Sequence, residues 1–165
     1  MDDERRTVEG STVTEADRRF MAEAFEEARK GLAEGGIPIG AVLVRDGAVV
    51  ARGHNRRVQL GDLTAHGEVD CLRAAGPVSV RGATLYTTLS PCWMCSGTVL
   101  QFGIGRVVIG DNVNFKGRLP SGLEAEAELA ASGVAVAVIN DPDWIALFRD
   151  WTAAHPELWG ADIGS

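Results

Sequence analysis

Two short motifs constrain this chain more than anything else in it: His66-Gly67-Glu68 and Pro91-Cys92-Trp93-Met94-Cys95. Together they supply one imidazole, two thiolates and one free carboxylate. Three such ligands make a zinc site whose tetrahedral metal keeps an open position for water, and a carboxylate beside that water makes the site hydrolytic. The two motifs are useful only in a fold that brings them to one point. Each reads as the start of a helix, and two helix N-termini can converge. Cys92 and Cys95 lie on one helical face, and the positive end of a helix favours thiolate over thiol. Thr64 is predicted to cap a helix over 65–75 that carries His66 and Glu68 in its first turn. Pro91 is predicted in the first turn of a second helix that ends near Phe102.

The rest of the pattern supplies the frame. Residues 1–13 are polar and without period, and are expected to be a flexible N-terminal segment. Thr14, with Asp17 three positions on, predicts a capped helix whose apolar stripe is Phe20, Met21, Ala24, Phe25, Ala28 and Leu32. Gly35-Gly36 ends it. Residues 39–44 and 48–51 read as strands joined by the tight-turn pair Asp46-Gly47, hence antiparallel. A polar loop is expected over 52–63. Strands follow at 83–89, 106–109 and 134–139, with helices at 123–131 and 143–154. Strands alternating with helices imply parallel crossovers. The expected fold is a three-layer α/β/α sandwich around a mixed five-stranded sheet, one domain over 14–165.

Composition narrows the function classes. Hydrophobic and charged fractions of 45% and 24% are those of an ordinary globular protein. No apolar run is long enough for a bilayer and the N-terminus lacks a secretory pattern, so the expected place is the cytoplasm, with no membrane partner. A net charge of −7 argues for a small neutral substrate and against a nucleic-acid partner. Three arginines fall within 52–57, which read more simply as a solvated loop than as a phosphate patch. Of the three cysteines, two at C-x-x-C spacing do not make a disulfide framework. A redox reading of that pair leaves His66 and Glu68 unexplained. Cys71 points away from His66 and reads as a buried apolar residue.

The chemistry needs this residue set. Water is a poor nucleophile at neutral pH, and zinc lowers its pKa toward ~7. The activated water attacks an amidine-like ring carbon. Glu68 takes the water proton, hands it to the ring nitrogen and then protonates the leaving amine. The competing reading is a closed zinc site that only stabilises the fold. Such a site has four protein ligands, and neither His54 nor Cys71 has ligand spacing.

The combination H-x-E with P-C-x-x-C is the signature of zinc-dependent nucleobase deaminases. The chain resembles the fungal-type cytosine deaminases of the cytidine deaminase superfamily. The likeness runs from Gly35-Gly36-Ile37-Pro38-Ile39-Gly40 through Gly53-His54-Asn55, the two zinc motifs and Leu85-Tyr86-Thr87-Thr88-Leu89-Ser90. It continues through Asn112-Val113-Asn114-Phe115 to Trp159 and Asp162-Ile163-Gly164. The last two stretches belong to the free-base branch. The resemblance implies one zinc ion held by His66, Cys92 and Cys95, with Glu68 catalytic. It implies that Asn55 bonds the pyrimidine edge, that the Gly67 amide holds the carbonyl oxygen, and that Ser90 and Asp162 face the exocyclic amine. It further implies that Phe115 and Trp159 cover the ring, and residues 156–165 are expected to form a lid. It also implies a homodimer. Read without the resemblance, Asn55 is equally a turn residue, Phe115 a core plug, and Trp159 with Asp162 a docking tail. Trp93 departs from the fungal pattern, which carries an acidic residue there, and the segments 75–82 and 116–132 differ from it too. The expected activity is deamination of free cytosine to uracil. The rivals are deamination of another free base such as guanine, a tRNA-editing deaminase, and a catalytically silent zinc module.

Overall fold

Thr14 opens the first helix with both halves of its capping box. Its hydroxyl accepts from the Asp17 amide at 3.1 Å, and the Asp17 carboxylate accepts from the Thr14 amide at 2.8 Å. This helix, α1 (Glu15–Ala33), leads into a hairpin of β1 (Gly40–Arg45) and β2 (Ala48–His54). Asp46 and Gly47 turn the hairpin with φ of 52° and 76°, the left-handed pair that a two-residue turn requires. The computed structural model describes residues 11–164.

Along the chain follow α2 (Arg57–Leu60), α3 (Gly67–Ala75), β3 (Thr84–Thr87), α4 (Trp93–Phe102) and β4 (Arg106–Ile109). Then come α5 (Ala125–Ala131), β5 (Ala135–Val138), α6 (Pro142–Ala154) and α7 (Pro156–Asp162). The five strands lie in the order β2-β1-β3-β4-β5. β1 is antiparallel to both neighbours, whereas β3, β4 and β5 run parallel. Cys71, Val99 and Leu129 from α3, α4 and α5 pack with Leu43, Leu85 and Val107 on one face. Met21 and Ala24 from α1 pack with Val42, Tyr86 and Val108 on the other. Trp144 of α6 stacks on Phe25 of α1, on that second face. Both faces are therefore covered, which is why β1 and β4 read as apolar runs. This is the mixed five-stranded α/β/α sandwich that the pattern predicts.

Three local expectations are corrected. β2 runs past Ala51 to His54, and α2 interrupts the expected loop. The hydroxyl of Thr64 donates to Asp62 at 2.8 Å instead of capping a helix, so α3 begins at Gly67 with His66 in the cap position. Pro91 lies before α4, not in its first turn. Cys92 is the extended cap residue, and its Sγ accepts from the Cys95 amide at 3.4 Å.

A buried ion pair clamps the sheet to α1. The Asp17 carboxylate bonds Arg106 at 2.6 and 2.8 Å and accepts from the Tyr86 hydroxyl at 2.8 Å. Burial works against ionisation of Asp17, but Arg106, the Thr14 amide and Tyr86 outweigh it and hold the carboxyl well below its usual range. Residues 1–10 of the expected flexible segment lie outside the described residues. Within 11–13, Ser11 accepts from Arg106 at 2.8 Å and its amide donates to the Val136 carbonyl. No described helix is long and apolar enough to cross a membrane.

Candidate active site

The two motifs meet where α3 and α4 begin. His66 and Cys92 are the cap residues of these helices, and Cys95 is in the first turn of α4. His66 Nδ1 lies 3.6 Å from Cys92 Sγ and 3.7 Å from Cys95 Sγ. The three ligand atoms fall within 4.8 Å of one another. Zinc at ordinary bond lengths to one nitrogen and two sulfurs, in tetrahedral geometry, needs nitrogen-to-sulfur separations of about 3.6 Å. The donor set therefore fits a zinc ion with one position left open.

Protons are unevenly shared within this set. The Cys95 hydrogen bond to Cys92, opposed by burial and helped by His66, draws the Cys92 thiol down to about 4. Burial disfavours a charged His66, but the hydrogen bond to Cys92 and the nearby Asp162 and Glu68 charges raise it to about 9. Cys95 is pushed well above an ordinary thiol by its bond to Cys92, by burial and by the Glu68 charge. A metal cation entering the site displaces the protons on His66 and Cys95.

Glu68 sits in the first turn of α3, almost fully buried. One of its oxygens, Oε2, is 3.3 Å from Cys95 Sγ, and the other accepts from the Thr87 hydroxyl at 2.8 Å. Burial, reinforced by the Cys92 charge, raises its pKa. That is the direction expected of a group that must both take and give a proton. Gly67 between His66 and Glu68 allows the start of α3 to press against the backbone of Ile39, just before β1. A Cβ there would meet the Ile39 carbonyl at 3.1 Å, closer than side chains normally approach.

The substrate-side candidates close over this centre. Asn55 is fully buried, and it is both a turn residue and a site residue. Its Oδ1 accepts from the Arg57 amide at 3.0 Å, while its Nδ2 donates to Asp162 at 3.2 Å. Asp162, from the last turn of α7, lies 3.6 Å from His66 Nε2. Its own burial raises its pKa, against the opposing charge of His66 and the bond from Asn55. Phe115 meets Trp159 edge to face at 5.5 Å between centroids, and Trp159 meets Phe148 in the same way at 5.2 Å. Both rings lean on Ile37, Ile39, Leu89 and Trp151, so Phe115 plugs the core and walls the pocket at once. Ser90 is buried on the wall. Its hydroxyl donates to Glu126 at 3.2 Å, and Glu126 also accepts from Asn112 Nδ2. The enclosed cavity is about 20 Å³, lined by these residues and by Ile39 and Leu89. Small-molecule sites start near ~300 Å³, so the cavity in this conformation is smaller than a typical ligand site.

All of the candidates at 55, 66, 67, 68, 90, 92, 95, 115, 159 and 162 meet in this one pocket, apart from Cys95, which sits just behind it. Sequence reasoning missed Thr87 and Glu126. Strand alternation could have found Thr87, because it shares the Leu85 face that looks toward α3. Nothing local marks Glu126. Two of the three arginines of 52–57 are drawn to carboxylates: Arg52 pairs with Glu23 at 2.7 Å and Arg56 with Asp70 at 3.3 Å.

A fold with helices over both faces of this sheet, and a His-Cys-Cys cluster at two helix starts beside a buried glutamate, defines the zinc-binding deaminase class. The chain belongs to the cytidine and deoxycytidylate deaminase zinc-binding family, whose profile matches residues 14–111. It is 39% identical to the cytosine deaminase of Candida albicans over 156 residues, 92% of this chain and 99% of that protein. It is 43% identical to the tRNA-specific adenosine deaminase of Bacillus subtilis over 98 residues, 57% of this chain and 61% of that one. Among solved structures, a guanine deaminase from Nitrosomonas europaea shares the fold with a TM-score of 0.70 at 24% identity, over 88% of each chain.

Proposed function

We propose that this protein catalyses the hydrolytic deamination of free cytosine, with water, to uracil and ammonia. The observation that carries the reading is the enclosure of the metal cluster by α7, with Asp162 brought from the end of the chain onto Asn55. A free base has no ribose or phosphate to grip, so its binding must come from enclosing the ring and satisfying its edge. The near full-length similarity to the Candida albicans cytosine deaminase supports the same substrate.

His66, Cys92 and Cys95 would hold one zinc ion, which supplies the Lewis acidity that makes a water nucleophilic near neutral pH. Asn55 and the Gly67 amide bind the pyrimidine edge and orient the ring. Asp162 and the Ser90 carbonyl face the exocyclic amine. Phe115 and Trp159 cover the ring and exclude bulk water. Glu68 accepts one proton from water at Oε2 and delivers it to the ring nitrogen, then takes the second proton from the hydroxyl added to the ring carbon and passes it to the amine, which leaves as ammonia.

The fold shared with the Nitrosomonas europaea guanine deaminase and the identity to the Bacillus subtilis tRNA deaminase keep a second reading in play, a deaminase of another base. The closed α7 speaks for a substrate that can be swallowed whole over a base within a polymer. The test is ammonia release by zinc-loaded protein from cytosine, cytidine, guanine, adenine and a tRNA anticodon stem. Turnover of cytosine, abolished by a chelator and restored by zinc, is expected. Turnover of guanine or tRNA without cytosine overturns the substrate assignment, and release from none favours a silent zinc module. We further propose a homodimer, supported by exposed Trp93 and Phe102 on α4 and Val78 nearby. Light scattering after size exclusion is expected to give twice the chain mass, and a monomer at micromolar concentration rejects it.

A further inference from the structure

We propose that Thr87 is a positioning residue for Glu68: its hydroxyl holds one carboxylate oxygen so that the other alone is presented to the metal ligands and the pocket. The inference rests on the proton-shuttling part assigned to Glu68 above. Thr87 is the last residue of β3 and is fully buried. It shares the face of Leu85, whose neighbours are apolar, and a valine would fill the same space. What distinguishes it from valine is the hydroxyl, and a hydroxyl at this depth must have partners.

It has two. Oγ1 lies 2.8 Å from Glu68 Oε1 and 3.0 Å from the Leu89 carbonyl. The first contact fixes the carboxylate. With Oε1 tied to the sheet, Oε2 is left 3.3 Å from Cys95 Sγ, on the side of the metal cluster. The second contact reaches the turn that runs through Ser90 and Pro91 to Cys92. The hydroxyl has a single proton for these two acceptors, and the shorter contact is the one to Glu68 Oε1, so the Leu89 carbonyl shares that proton at most; the hydroxyl still sits between the segment that carries the proton shuttle and the segment that carries two metal ligands. A glutamate has three free torsions, and a displacement of about 1 Å at a reacting group can cost on the order of 10²-fold in rate. Groups that orient reacting or ligating residues in this way are typically worth ~10–100-fold.

The test compares zinc-loaded Thr87→Val, which keeps the shape and removes the hydroxyl, with Thr87→Ser, which keeps the hydroxyl and loses a methyl. Turnover is read on whichever base the parent deaminates best. Thr87→Val is expected to hold a full complement of zinc while kcat falls ~10–100-fold, with KM within about threefold of the parent. Thr87→Ser is expected within about threefold of the parent. Crystal structures of parent and Thr87→Val are expected to show the Glu68 carboxylate rotated or in several conformers in the variant only. A packing role gives the reverse order, with valine active and serine impaired, and overturns the proposal. So does a Glu68 carboxylate that stays fixed in Thr87→Val. If Thr87→Val does not fold, Thr87→Ala against Thr87→Ser differs in the hydroxyl alone, and serine must exceed alanine by at least about tenfold. A parent inert toward every base removes the deaminase reading, whereas the position of Glu68 in the variant crystals still decides this one.

Discussion

The metal-bearing helix starts and the C-terminal helix meet in one pocket but are held by different physics. His66, Glu68, Cys92 and Cys95 are fixed by two helix caps and by the strands beneath them, inside the stretch that matches the family profile. Phe115, Trp159 and Asp162 lie beyond that stretch. They reach the pocket from a loop and from α7, which is joined to α6 through the single residue His155. The first region has two core clusters behind it, whereas the second rests on a third, smaller one, on edge-to-face rings and on the bond between Asn55 and Asp162. In the function proposed above, the chemistry falls to the first region and the choice of substrate to the second.

The comparison can be broken most sharply at Glu68. Glu68→Ala is expected to retain zinc by elemental analysis and an unchanged far-ultraviolet circular dichroism spectrum, while ammonia release falls by roughly 10³-fold or more. Retained turnover would remove the chemical half of the contrast.

A second test measures how rigid the first region is. Asp17→Asn strands Arg106 against α1 and is expected to lower the unfolding free energy by about 3 kcal/mol in urea. The pH dependence has a definite sign. The folded carboxyl titrates below the unfolded one, so its contribution is complete above about pH 4 and fades as pH falls further. The acid side of the stability curve should therefore flatten in the variant, compared with the parent at matched zinc content.

The two smallest effects lie in α7. Asp162→Ala is expected to lower kcat/KM for the preferred base by about 10–100-fold, the value of a lost hydrogen bond to a charged group, with stability unchanged. Trp159→Ala should act mainly on KM, by about tenfold, through lost ring contact. A large loss of thermal stability in either variant would mean that α7 is part of the frame after all.

The frame was legible because its signals are local. Thr14 with Asp17, Asp46-Gly47 and the two zinc motifs each act within a few residues, and each is where the pattern puts it. The misreadings have equally local causes. Thr64 looked like a helix cap until Asp62 took its hydroxyl. Pro91 suits a first helical turn, yet Cys92 takes the extended cap geometry and leaves it outside. The single turn of α2 is too short to show a period. The clamp of Asp17 on Arg106 and Tyr86, and the hold of Thr87 on Glu68, join segments far apart in the chain, so no spacing announces them. Asn55 stayed ambiguous in sequence because one amide group serves both a turn and the pocket.

The position of Asp162 bears on what happens once the bond has been cleaved. An amine facing that carboxylate donates to it, whereas the carbonyl that replaces the amine can only accept. Two acceptors then confront each other in a closed, water-poor space, which is unfavourable. In its proposed role, an ionised Asp162 would thus favour the starting base and disfavour the finished one. If the protein deaminates cytosine as proposed, accumulating uracil is expected to inhibit only weakly, which a product-inhibition assay checks.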